Sequence, residues 1–342
     1  MVLTGQTAGI QAERDEFNAA PVIRRVFDSA RTSARDGGQE VTFRALGTTC
    51  RILVGGPAES AAPFFRAALN WVAAFEAKYS RFLGESLVSR INFAAGGDWV
   101  ALDREAEAIF GLCHELNFLS RGIFDPTSLP VVALWNWKEP RTTLPSEAEI
   151  AAAMALVGWR QVQRAPGKIR LPRRGMSLDL GGMGKEYAVD QIVLLAQRSG
   201  FSSVLADFGA DVRTAGPPPD HRPAWHIGLE NPQKPGTCWA GLAIREAAVA
   251  TSGDYVRKFE LNGRRYGHIV DPRTGRPVTH GLRAVSVVAP SCTQAGLLST
   301  AAFVLGPQEG LRLIESTAGA AGALVTDNQI LQSHRFHELI PA

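Results

Sequence analysis

LDLGGMGKEYAVD, residues 178–190, reads as a strand ending in Asp179, a glycine-rich turn and a helix that carries Lys185 in its first turn. A strand, a glycine turn and a helix in that order also open a dinucleotide-binding Rossmann unit. There, however, the glycines follow GxGxxG and the βαβ rhythm repeats. Neither feature occurs in this chain, so the expected class is α+β, with mixed sheets and packed helices. Val189, Ile192, Val193 and Ala196 form the apolar stripe of the helix after the turn. Its N-terminus reads either as a cradle for an anion, where glycines let the backbone approach a phosphate and Lys185 adds a point charge, or as a strand–turn–helix whose glycines only serve the turn.

Upstream, folded sequence is expected to begin near Val41, with residues 1–40 a flexible extension. Val41–Leu46 and Cys50–Val54 read as two strands around a small polar turn. An amphipathic helix follows from about Pro63 to Tyr79, with Phe65, Ala68, Leu69, Val72 and Phe75 on one face. Asp103 is the expected N-cap of a second helix, carrying Ile109, Leu112, Cys113, Leu116 and Leu119. Ser146 caps a third that runs to Val157. Residues 41–342 read as one domain, with the proline-rich loop Gly216–Pro223 as its internal seam.

A length of 342 residues, 45% hydrophobic and 20% charged, suits a soluble protein with a substantial core. The net charge of +3 is too small to point to nucleic acid. No apolar run approaches the roughly 18 residues needed to span a bilayer. Four widely spaced cysteines form no CxxC pair, and the early residues hold no apolar signal segment. Free thiols and a cytoplasmic location are expected.

Polar clusters interrupt the scaffold at Ser80–Asn92, Gly122–Thr127, Ala206–Asp211 and Ala250–Val278. In the last, Phe259, Leu261, the Asn262-Gly263 turn and Tyr266 predict a hairpin. It would carry two polar turns, Thr251-Ser252-Gly253 and Arg273-Thr274-Gly275, to one edge of a sheet.

In order, the segments are FRALGTT, YSRF with SRIN, GIFDPTSLP, LDLGGMGKEYAVD, ADFGADV, ATSGDY, HIVDPRTGRPV and LLSTAAFVLG. This series resembles the ApbE family of FAD:protein FMN transferases from Val41 to about Leu305. The resemblance implies an ApbE-like fold that binds FAD and Mg²⁺. It implies transfer of FMN to a threonine of an acceptor flavoprotein, with release of AMP. It places Leu46 and Phe82 beside the flavin or adenine, and Ile123, Phe124 and Asp125 along the dinucleotide. Asp179 and Lys185 would flank ribose and phosphates, Thr251, Ser252 and Gly253 would form a further wall, and Ile269 or Val270 would line the ring. His268 would be the base for the incoming threonine, a role that suits a side chain whose ordinary pKa lies near ~6.5.

The metal ligands implied are the Gly182 carbonyl with Ser299 and Thr300. Here the chain departs from the family pattern, in which the helix reads Asp-Ala-Leu-Ser-Thr: this chain has Gly296-Leu297-Leu298-Ser299-Thr300. Mg²⁺ prefers anionic oxygen, so the loss of a carboxylate matters. The glycine usual after the lysine is Glu186 here, a residue that could return the carboxylate from the opposite wall or simply sit in solvent at the helix start. The alternative reading is a homologue that holds FAD without transferring FMN. Phe82 for tyrosine and Leu46 for methionine are smaller departures that keep an apolar wall.

Overall fold

The computed structural model describes residues 17–137, 142–254 and 258–341. Its centre is a nine-stranded sheet: β1 (Arg31–Arg35), β2 (Gly38–Ala45), β3 (Thr48–Gly55), β4 (Val204–Phe208), β5 (Val212–Ala215), β6 (Ala248–Gly253), β7 (Leu282–Ala289), β8 (Ala321–Thr326) and β9 (Ile330–Gln332). Every strand lies beside its predecessor in the chain, and every pairing is antiparallel. The sheet is thus a meander whose connections have grown into the rest of the protein. The absence of parallel crossovers is the physical content of the non-Rossmann reading.

The helices are α1 (Ala20–Ser29), α2 (Ala58–Tyr79), α3 (Leu87–Phe93), α4 (Arg104–Leu119), α5 (Leu129–Trp135), α6 (Glu147–Met154), α7 (Gly184–Arg198), α8 (Cys292–Leu305) and α9 (Pro307–Ser316), and five of them cover one face of the sheet. Of these, α1 and α2 lie on β2, α7 on β4 and β5, α8 on β6 and β7, and α9 on β8. The other face is closed by a ribbon, Trp225–Glu230 with Cys238–Ile244, and by Phe336. Gly216–Pro223 connects β5 to that ribbon.

Local chemistry explains most boundaries. Asp103 accepts from the Ala106 N–H and starts α4. Ser146 and Glu149 form a reciprocal capping box on α6, although α6 stops at Met154, short of Val157. Leu119 is exposed. Asn262 and Gly263 both have positive φ, as a two-residue hairpin turn requires. That hairpin, Lys258–Leu261 with Arg264–Gly267, stands apart from the main sheet. Phe259 stacks on Tyr266, and Tyr266 packs with Val131, Trp135 and Ile150 of α5 and α6. The second turn docks on the same lobe. Gly275 has φ +71 and no room for a side chain, since an added Cβ would lie 2.9 Å from Val131 and Met154. Its carbonyl accepts from the Trp135 indole.

Two expectations need correction. Folded chain starts well before Val41: α1 buries Val22 and Val26, and β1 pairs with β2 along its whole length. In α1, Val22 and Val26 are buried and Ile23 and Phe27 pack beside them on the core, whereas β1 is an exposed edge strand with no apolar alternation. Residues 1–16 of the expected extension lie outside the described residues. Leu178–Leu180 is also no strand. The Asn92 amide takes the place of a neighbouring strand, accepting from the Leu178 N–H and donating to its carbonyl.

Cys50, Cys113 and Cys292 are buried, Cys238 is exposed, and all four are free. Burial pushes the Cys50 and Cys113 thiols up to about 12 and Cys292 well above its ordinary value. Thiolates are the reactive form. Native protein is therefore expected to take up one equivalent of a maleimide at neutral pH, through Cys238, and four after unfolding. Intact-mass measurement counts the adducts.

Candidate active site

Three parts of the meander converge at one end of the sheet: the β2–β3 turn at Leu46-Gly47, the β4–β5 turn at Gly209–Asp211, and the C-terminal end of β6. The first two are tied by the Gly209 N–H, which donates to the Thr49 carbonyl. Val249 faces Val212 across β6 and β5, so Thr251–Gly253 extend beyond the β4–β5 turn. In the β2–β3 turn Leu46 is left-handed, φ +52, with its N–H donating to Glu76.

The 178–183 segment and the N-terminus of α7 reach the same place. Arg81 links two predicted residues: its Nε donates to Asp179 at 2.7 Å, and its guanidinium lies 4.0 Å above the exposed Phe82 ring. The Asp179 N–H donates to the Pro126 carbonyl, joining the 122–127 segment to this wall. The Phe124 ring lies 3.4 Å from where a Gly182 Cβ would be. Ile123 packs with Ala301 and Val304 of α8 and with Ile269. His268 therefore sits, half-buried, in a segment anchored on α8 by its neighbour Ile269.

Asp125, expected along a dinucleotide, has both carboxylate oxygens engaged within the protein. One carboxylate oxygen accepts from the Thr127 N–H and hydroxyl, the other from the Trp159 N–H. It builds the turn that presents Ile123 and Phe124.

Lys185 pairs with Asp211 of the β4–β5 turn. Burial acts to lower Lys185, but the Glu186 and Asp211 carboxylates overrule it and hold the ammonium above its usual range. Burial, reinforced by Glu186 and opposed by Lys185, raises Asp211 to about 7. One cation and two buried carboxyls thus share this corner.

Across from them, Ser252 Oγ lies 2.9 Å from both Ser299 Oγ and Thr300 Oγ1. Thr251 is 2.8 Å from Ser286 on β7. The result is a cluster of hydroxyl oxygens where β6 meets α8. Among the described residues no group of three or more His, Cys, Asp or Glu is placed to hold a metal, so any cation here must use hydroxyls and carbonyls as well.

Sequence reasoning missed two carboxylates that fix this geometry. Asp211 appears only as part of a bend, and its partner Lys185 is distant in the chain. Asp190 pins α7 to α8: it accepts from the N–H groups of Cys292 and Thr293, the Thr293 hydroxyl and Arg213. A carboxylate at a helix N-terminus is a favourable arrangement, but a mid-helix Asp gives no hint that the helix it caps is another one.

Comparison with known proteins bears on what binds here. A sequence profile of the ApbE family matches residues 46–325. The chain is 32% identical over 297 residues to the FAD:protein FMN transferase of Treponema pallidum, covering 80% of each chain. It superimposes on the crystal structure of the ApbE protein from Thermotoga maritima with a TM-score of 0.80, at 29% identity, over 89% of this chain and 100% of that one. The apo form of the Pseudomonas stutzeri flavinyl transferase ApbE gives 0.76 at 28% identity, over 92% and 98%.

Proposed function

The chain belongs to the ApbE family, and on that premise we propose how its residues divide the work of an FAD:protein FMN transferase. The reaction moves the FMN half of FAD to a threonine hydroxyl of an acceptor protein and releases AMP. The threonine oxygen forms a bond to the FMN-side phosphorus, the bond from that phosphorus to the bridging oxygen breaks, and AMP leaves with that oxygen. Such transfers depend on charge neutralisation and positioning more than on covalent help.

The assignment is supported by the convergence of the chain's polar segments on one end of the sheet, with Lys185 at a helix N-terminus paired to Asp211 of the β4–β5 turn and a hydroxyl cluster where β6 meets α8. In this reading Phe82 and Leu46 offer apolar surface to the flavin or adenine, and Phe82 is backed by Arg81. Ile123, Phe124 and Ile269 line the wall along the dinucleotide. Asp179 and Lys185 border ribose and phosphates, while Asp125 acts through the loop it shapes. His268 accepts the threonine proton.

Thr251, Ser252 and Gly253 form the β6 wall. Ser299, Thr300 and the Gly182 carbonyl are the ligands for a divalent cation. Their oxygens are hard donors of the kind Mg²⁺ takes, and the Ser252–Ser299–Thr300 cluster brings the hydroxyls together. When bound, Mg²⁺ would supply positive charge to the pyrophosphate oxygens.

The acceptor is a protein that carries the receiving threonine. No helix among the described residues is long and apolar enough to cross a membrane. The four free thiols support a reducing compartment and hence a cytoplasmic acceptor.

The test is FAD titration by flavin fluorescence, with AMP measured chromatographically after Mg²⁺ and an acceptor flavoprotein are added. Saturable FAD binding with AMP release is expected. Binding without AMP would instead identify a protein that only holds FAD.

A further inference from the structure

Glu186 is the least satisfied carboxylate at this site. Its side chain is 8% exposed, and its Oε2 is buried without a hydrogen-bond partner. An ionised carboxylate in that condition is costly unless something binds it. Where it points is equally specific. A Cβ built on Gly296 would lie 2.7 Å from Glu186 Cγ, 3.1 Å from Oε1 and 3.2 Å from Cδ. The Glu186 carboxylate therefore occupies the space a side chain at 296 would take.

Helix geometry then fixes what lies beside it. Gly296, Ser299 and Thr300 are i, i+3 and i+4 on α8, one face of the helix, and Ser299 also donates to the Gly296 carbonyl. The register is held one turn away by Asp190, which is i+4 from Glu186 and binds the N–H groups of Cys292 and Thr293. Thus α7 and α8 run antiparallel, and Glu186 is delivered to the hydroxyl cluster from the facing helix.

We infer that Glu186 is the anionic ligand of the divalent-cation site, supplied by α7 in place of a carboxylate on α8, and that Gly296 is small in order to admit it. The two departures from the family pattern, Glu186 and Gly296, are then one exchange across the helix pair. This inference rests on the FMN-transfer reading above.

The test measures metal binding directly, with Mn²⁺ followed by electron paramagnetic resonance and Mg²⁺ by calorimetry, each with FAD present. Glu186→Gln keeps the shape and removes the charge. It is expected to weaken Mn²⁺ binding by at least the ~10- to 100-fold that loss of a metal's outer partners produces. The double variant Glu186→Gly/Gly296→Asp moves the carboxylate back to α8 and is expected to restore most of the lost affinity. Gly296→Asp alone should not improve on wild type, because its Cβ collides with Glu186.

Unchanged Mn²⁺ affinity in Glu186→Gln overturns the inference. So does a double variant that binds as weakly as Glu186→Gln, since the effect would then be structural. If wild type binds FAD and releases AMP yet takes up no Mn²⁺, the inference fails while the transfer reading stands. If it binds no FAD at all, both fail.

Discussion

His268→Ala is expected to slow FMN transfer by about 10²–10⁴-fold, the usual contribution of a positioned general base, while FAD remains bound. The placement of the imidazole separates rate from binding. His268 lies between the hairpin that ends at Gly267 and the turn that starts at Asp271. Both flanks are anchored: Tyr266 stacks on Trp135, and Ile269 packs on Ile123 and α8. The imidazole is held by its neighbours, so its removal should leave the walls of the cleft in place. Single-turnover AMP release, compared with an FAD dissociation constant from fluorescence, separates the two effects. Equal loss of binding and rate would assign His268 to the walls, and an unchanged rate would remove it from the reaction.

Asp190→Ala carries the largest expected effect on stability. Its Oδ1 is 2.8 Å from both the Cys292 N–H and Arg213, and its Oδ2 accepts from the Thr293 N–H at 2.9 Å and hydroxyl at 2.7 Å. The group is buried. Truncation strands the Arg213 charge and two N–H groups of α8 at once. Breaking a buried pair by removing one partner costs about 3–5 kcal/mol, and that range is expected from urea unfolding followed by far-UV circular dichroism. Asp190→Asn keeps part of the cap and should lose less. A loss below about 1 kcal/mol would show that α7 and α8 are registered by apolar packing alone.

These two predictions differ in how visible their residues are in the sequence. His268 stands in a run, Ile-Val-Asp-Pro-Arg-Thr-Gly, whose turn chemistry is local and readable. The same holds for Ser146 with Glu149, for Asp103 and for Asn262-Gly263, where cap or turn is settled within four residues. Asp190 and Asp211 look like ordinary helix and bend carboxylates because their partners lie far along the chain. Leu178–Leu180 misleads for the same reason: an extended apolar segment implies a strand, but the Asn92 amide has taken the neighbouring position.

The order of the sheet was likewise beyond local pattern, since residues 56–203 separate β3 from its partner β4. Glu186 is the intermediate case. Its sequence position allowed either a solvated first-turn glutamate or a ligand, and its burial against Gly296 removes the first.

Flavin on a threonine is the most direct measure of what this protein does. Wild type, FAD and Mg²⁺ are incubated with an acceptor flavoprotein, and the acceptor is digested and analysed by mass spectrometry while AMP is quantified. FMN is expected in phosphoester linkage to one threonine, in equal amount to the AMP released and absent when the metal is chelated. Bound FAD with neither AMP nor a modified threonine would contradict it.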